Sequence, residues 1–172
     1  MKISHHIDFL IAVSIVIIAV VFLLLTYQRI IRVNFFIGPL RFSHWLSIIG
    51  TIGIAIATPL FTLLKRSFFP SWTKITRFHI FGNLIFFTLI TIHFATQVAR
   101  PASNFPELGT GIAMFIAMDV QIILGFTQRF RSQRRLYKKL ININTNKFIH
   151  ASLVMVFYAV ILFHVLHGLK II

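Results

Sequence analysis

Residues 77–94 read RFHIFGNLIFFTLITIHF, eighteen positions whose only ionisable side chains are Arg77 and two histidines, His79 and His93. A run this apolar is the material of a membrane span, which needs about 20 mostly apolar residues to cross the hydrocarbon core. The histidines lie fourteen residues apart. On an α-helix that is roughly four turns less 40°, so both sit on one face, about 21 Å apart along the axis. Residues 148–168, FIHASLVMVFYAVILFHVLHG, repeat the interval with His150 and His164.

Composition sets the class. Of 172 residues 58% are hydrophobic and only 12% charged, with a mean hydropathy of +0.89; a soluble domain is normally near half apolar and a quarter charged. The balance predicts an all-α fold, an integral membrane bundle of transmembrane helices. There are no cysteines, which excludes disulfides, iron–sulfur clusters, thiolate zinc and covalently attached c-type haem. Any metal centre therefore uses histidine, methionine or oxygen ligands. The net charge of +14 falls in short basic clusters between apolar runs. That pattern sets membrane orientation and argues against nucleic acid as a partner.

Five spans are predicted, at about 9–27, 44–64, 78–98, 109–127 and 148–169, in a single membrane domain covering 1–172. The first, FLIAVSIVIIAVVFLLLTY, reads as an uncleaved anchor: its apolar core exceeds a signal-peptide h-region and no small-x-small cleavage site follows. The second carries Gly50 and Gly53, small residues that let helices approach, and Pro59, expected to kink its last turns. Asp119, in the fourth, reads as the one acid clearly inside the apolar region, and an intramembrane acid is a functional candidate by default. Glu107 lies at a loop edge. His5 and His6 precede the first span and are expected to be solvated.

Five spans put the N-terminus and the second and fourth loops on one side, with twelve Lys and Arg against five on the other. The positive-inside rule places the N-terminus in the cytoplasm and the C-terminus outside a cell membrane crossed several times. The fourth loop, QRFRSQRRLYKK, supplies most of the bias.

Spans three and five run in the same direction, so His79 lies at the depth of His150 and His93 at that of His164. Two facing helices would then present one His–His pair near each membrane surface, a frame that fits bis-histidine ligation of two non-covalent b-type haems. A lone histidine in such a helix is as readily an interhelical hydrogen-bonding residue; two pairs at one interval favour the metal. A zinc or copper site would need three or four ligands at one depth, which the frame separates. His167 is an alternative outer ligand, rotated about 100° from the His150 face where His164 is about 40° off. Gly82 follows His79 by one turn and would let a porphyrin lie against the backbone, although ordinary helix packing accounts for it equally. Arg77, Lys74 and Lys147 flank the inner site as candidate propionate partners or as plain topogenic charges.

RFHIFGNLIFFTLITIH resembles the third helix of the ferric reductase-like transmembrane domain, the membrane core of NADPH oxidases and ferric reductases, where a histidine, a glycine shortly after it and a second histidine recur. The resemblance implies ligation by His79 with His150 and by His93 with His164. RFSHWLSIIGTIGIAIATPL is similar instead to the first helix of cytochrome b561-type proteins and of the cytochrome b subunits of nickel–iron hydrogenases and formate dehydrogenases. That likeness implies His44 with His164 and His79 with His150, leaving His93 unused. The chain departs from the first family in lacking a sixth helix and the flavin and nucleotide domains, and from the second in its extra first helix. The likenesses cover about residues 41–169.

The expectation is a di-haem electron-transfer component of an oxidoreductase rather than a complete enzyme. It would pass electrons from a cytoplasmic-side donor, either a partner subunit or a soluble reductase, to an outer-side acceptor. The alternative is a cytochrome b membrane anchor of a larger respiratory complex that exchanges electrons with a quinone or quinol. A haem-free membrane scaffold is the rival from another class; it predicts no chromophore and tolerance of His79→Ala and His150→Ala.

Overall fold

The computed structural model describes residues 2–67, 72–101, 109–130 and 142–168. Glu107, Lys170 and most of the basic fourth loop lie outside the described residues, as does the side chain of His5. The described residues form five helices: α1 (Lys2–Tyr27), α2 (Phe42–Ser67), α3 (Trp72–Val98), α4 (Gly109–Arg129) and α5 (Ile143–Gly168). All five are long and apolar enough to cross a membrane, over His6–Tyr27, Phe42–Leu64, Thr73–Val98, Gly109–Arg129 and Asn144–His167. The chain is thus all-α and multi-pass. In hydrocarbon every backbone polar group must be bonded within its own segment, and a helix does this for any apolar sequence.

Most helices run beyond the apolar stretches read from the sequence. Polar turns such as 2–8, 72–77 and 143–147 add intrahelical bonds at no cost to the span, while a hydropathy reading stops where charge begins. The α2 helix continues through Pro59 rather than ending there.

Contacts divide the chain into two compact units, Met1–Pro106 and Glu107–Ile172. In the first, α3 packs on both α1 and α2. The α1 face toward it is made of small residues at sevenfold spacing, with Ala12, Ala19 and Thr26 all nearly inaccessible. Small side chains let backbones approach where lipid provides no hydrophobic drive between helices. On α2 the same role falls to Gly50 and Gly53. A Cβ at Gly50 would come within 2.7 Å of Ile90 and 2.8 Å of the Phe86 carbonyl, and one at Gly53 would run into the Phe86 ring. Thr88, Thr91 and Thr96 return their hydroxyls to carbonyls four residues back, at 2.8–2.9 Å, so they bury no unpaired O–H.

The turn from α1 to α2 is built in detail. Arg29 takes the left-handed position after α1, with φ 61°, and donates its N–H to Thr26 while Ile30 donates to Leu25. This is the Schellman pattern, usually completed by glycine. The Arg29 guanidinium then reaches the Ala99 carbonyl at 2.6 Å, satisfying an orphan acceptor just past α3. A two-strand hairpin follows, β1 (Phe36–Ile37) with β2 (Leu40–Arg41), paired Phe36↔Arg41 and Ile37↔Leu40. Its turn is Gly38-Pro39, where glycine accepts φ 62°. Trp45 Nε1 donates to the Ile37 carbonyl at 2.9 Å and ties the hairpin to α2.

In the second unit α4 packs on α5. Asn146 donates to the Thr127 hydroxyl at 2.9 Å and to the Leu124 carbonyl at 3.3 Å, and Gln128 donates to the Asn146 carbonyl. This polar knot fixes the register where α4 ends and α5 begins.

Candidate functional site

At the hairpin end of the first unit, His93 on α3 is buried and its ring meets that of His44, in the first turn of α2, edge to face at 5.0 Å between centroids. Two imidazoles ligating one iron from opposite sides would have centroids about 6 Å apart, taking a metal–nitrogen distance of about 2.0 Å on each side, with the macrocycle between them. His44 and His93 are therefore neighbours, not a sandwich. Arg41 and Arg100 both act electrostatically on the His44 ring. Burial, and then the like charge of Arg41, push the Arg100 guanidinium below its ordinary value.

At the opposite end of α3, His79 stacks on Phe61 of α2, centroids 4.2 Å apart and planes 25° from parallel. Its Nδ1 lies 3.2 Å from Asn83 Nδ2, one turn on, while Asn83 Oδ1 is buried with no hydrogen-bond partner among the described residues. A half-turn of that amide sets Oδ1 against an Nδ1–H and leaves Nε2 as the lone-pair nitrogen. That is the tautomer a metal requires, with its other nitrogen oriented by a hydrogen bond. A Cβ at Gly82 would meet nothing within 4 Å, so the helix surface beside His79 is open.

Arg77 is engaged elsewhere. Its Nε lies 2.9 Å from Asp8 Oδ1 and 3.1 Å from Oδ2, and Asp8, on α1, is 2% exposed. This corrects the reading of Asp119 as the one acid in the apolar region: Asp8 falls inside the first span, His6–Tyr27. A span counted from Phe9 stops one residue short of it. Asp119 itself is half-buried on α4 and makes no hydrogen bond or ion pair among the described residues.

In the second unit His150 and His164 of α5 each have a glycine of α4 facing them. A Cβ at Gly111 would lie 3.6 Å from His164 Cε1, and one at Gly125 would lie 3.8 Å from His150 Cε1. The glycines are fourteen residues apart, as are the histidines, because antiparallel helices in one register keep a common interval. Midway in that register fall Met118 and Phe157, 3% and 1% exposed. Thr110 Oγ1 lies 2.9 Å from His164 Nδ1, so this imidazole too is held by a neighbour at Nδ1. The His150 ring has a backbone hydrogen bond at Gln121, and its Nδ1 is buried without a partner among the described residues. The α4 glycines were missed in the sequence, although their interval was legible there. His167 and His6 are exposed.

Among the described residues no three His, Asp or Glu side chains converge on a possible metal ion. That bears on zinc-type sites, which draw three or four protein ligands. A macrocycle brings four donors of its own and asks the protein for axial ligands alone. The residues fit such a group: imidazoles oriented at Nδ1 by Thr110 or paired there with Asn83, an open backbone at Gly82 and small residues beside His150 and His164. Against protein-family models, curated proteins and solved structures alike, the chain finds no match.

Proposed function

We propose that the chain is a di-haem b-type cytochrome of the membrane that moves electrons between a cytoplasmic-side donor and an outer-side acceptor. The observation that carries this reading is the shared interval of fourteen: His79 and His93 on α3, His150 and His164 on α5, and Gly111 and Gly125 facing the latter pair from α4. In this reading His79 and His150 ligate the inner haem, and His93 and His164 the outer one. The resemblances to ferric reductase-like domains and to hydrogenase-type cytochromes b agree on His79, His150 and His164.

When bound, the two haems supply one-electron chemistry. The chain's residues bind and orient. The four histidines would hold the haems through ring nitrogens, and Asn83 and Thr110 would fix ring orientation, as outer hydrogen bonds do for most ligating histidines. The apolar walls of the helices keep water away and so raise the effect of each nearby charge. Orientation with the N-terminus inside follows from the twelve-to-five distribution of Lys and Arg. Electrons would come from a partner subunit, a soluble reductase or a quinol.

The test is a reduced-minus-oxidised spectrum of the purified chain with a haem-to-protein ratio. Two b-type haems per chain are expected, falling to one in His79→Ala. A colourless chain after haem-replete expression would leave the scaffold reading in its place.

A further inference from the structure

The hairpin end of the first unit carries an uncompensated cluster of donors. His93 and Gln97 lie one turn apart on one face of α3, and Arg100 follows two residues past the helix end, its N–H bonded to the Gln97 carbonyl at 3.3 Å. Across from this face stand His44, in ring contact with His93, and Arg41, one residue before α2. The Arg41 guanidinium is held 5.5 Å over the Phe36 ring of the hairpin, which restricts where its charge can go.

Three buried nitrogens in this group have no hydrogen-bond partner among the described residues. Gln97 is 9% exposed and its Nε2 is buried without a hydrogen-bond partner, and so are Arg100 Nε and His44 Nδ1, all among the described residues. A buried amide or guanidinium N–H left unpaired is costly, so the Gln97 and Arg100 donors together call for a ligand rich in acceptors. No acid of this unit can supply them. Among its described residues Asp8 is the one carboxylate, and it sits near the start of α1, paired with Arg77, while the cluster lies beyond the far end of that helix. Eighteen helical residues separate Asp8 from Thr26, about 27 Å along the axis.

We propose that Arg41, Gln97 and Arg100 form a binding site for a phosphate-type oxyanion at the membrane boundary. Two guanidiniums and an amide N–H match the several acceptor oxygens of such a group, and bidentate contact from arginine is the usual mode. The N-terminus of α2 adds its positive pole on the same side. The depth is that of lipid phosphates: Arg41 immediately precedes the span Phe42–Leu64, and Arg100 follows Thr73–Val98 by two residues. A phospholipid headgroup and free phosphate share this chemistry. The inference does not rest on the haem reading, since every residue in it belongs to the first unit and needs no cofactor.

The test uses the full purified chain in neutral detergent. Thermal unfolding is followed against inorganic phosphate, with chloride at matched ionic strength as control, and separately against phosphatidylglycerol and phosphatidylcholine doped into the micelles. The site predicts a saturable rise in Tm of about 2–4 °C, with half-saturation shifted about tenfold or more in Arg100→Gln and in Gln97→Leu. Arg32→Gln, an exposed arginine at the same end, removes the same charge and should leave the response intact. Saturation by inorganic phosphate assigns a soluble oxyanion; saturation by phospholipid with no response to inorganic phosphate assigns a headgroup.

Equal loss in Arg32→Gln, or a response that chloride reproduces, would mean general charge screening and overturn the site. It is overturned equally if no oxyanion has any effect and Arg100→Gln alters only the haem content or potential, because the donors would then serve the cofactor's carboxylates. If Arg100→Gln fails to fold, Gln97→Leu and the wild-type titration still decide the matter. Haem content measured on the same samples separates failure of this site from failure of the cytochrome reading.

Discussion

His44 and His93 touch edge to face at 5.0 Å, although 49 residues separate them in the chain. They are the two residues on which the family resemblances disagree, and the contact places both at one position in the molecule. On the cytochrome reading the two divide the roles: one would ligate and the other would lie against it.

On that reading the regular interval favours His93 as the ligand, since it repeats with His79 the spacing of His150 and His164. His93→Ala is therefore expected to lower the haem-to-protein ratio from two to one. His44→Ala should retain both haems and change the midpoint of the outer one, because a polar ring is lost from its surroundings. Haem extraction and redox titration on the two variants check this. Loss of a haem from His44→Ala with retention in His93→Ala would transfer the ligand role.

Asn83 should orient His79 through the Nδ1 contact at 3.2 Å. Removing an outer hydrogen bond of this kind typically costs 10–100-fold in affinity, so Asn83→Leu should release the inner haem more readily while the helix stays folded. Asn83→Asp offers a stronger acceptor to Nδ1–H, makes the imidazole a better donor to iron and should lower the inner midpoint potential. A packing role alone would leave the potential where it is. Haem dissociation kinetics and a redox titration distinguish the two.

Asp8 and Arg77 tie α1 to α3. Asp8→Ala would leave a guanidinium at a membrane helix end without its carboxylate. The Arg77 side chain is 39% exposed, so it can turn toward water and the loss is expected at about 1–3 kcal/mol, below the cost for a fully buried pair. In a double-mutant cycle with Arg77→Ala the effects should be less than additive. Chemical denaturation in mixed micelles gives the four values. Full additivity would mean that the contact contributes nothing to folding.

The five helices were legible in the sequence because lipid permits one solution to a long apolar run. What the sequence hid are partners fixed by tertiary register. Asp8 lies one residue before the first span as read from the sequence, and nothing local announces that Arg77, 69 residues on, will meet it. The neighbourhood of His44 and His93 depends on α2 and α3 running antiparallel at one particular offset, set by Gly50 and Gly53 against Ile90 and Phe86. Gly111 and Gly125 were visible as an interval yet uninformative alone. Glycine is frequent in membrane helices, and the pair gains meaning when His164 and His150 stand opposite.

Gly53 and Gly82 make opposite predictions for one chemical change. At Gly53 an added side chain meets the Phe86 ring, and α2 and α3 cannot keep their distance; Gly53→Val should cost about 1–3 kcal/mol or more by overpacking. At Gly82 an added Cβ meets no atom of the described chain within 4 Å. Gly82→Val should leave the stability of the haem-free chain within about 1 kcal/mol, the β-branched residue itself costing a few tenths in a helix. Its effect should appear in the haem-loaded protein, as loss of the inner haem or a displaced absorption band, because a porphyrin lying beside His79 would need the space that valine fills. Unfolding of the haem-free protein and the spectrum of the loaded one, recorded for both variants, separate the cases. Full haem content with an unchanged spectrum in Gly82→Val would show that the open backbone beside His79 faces lipid and not a cofactor.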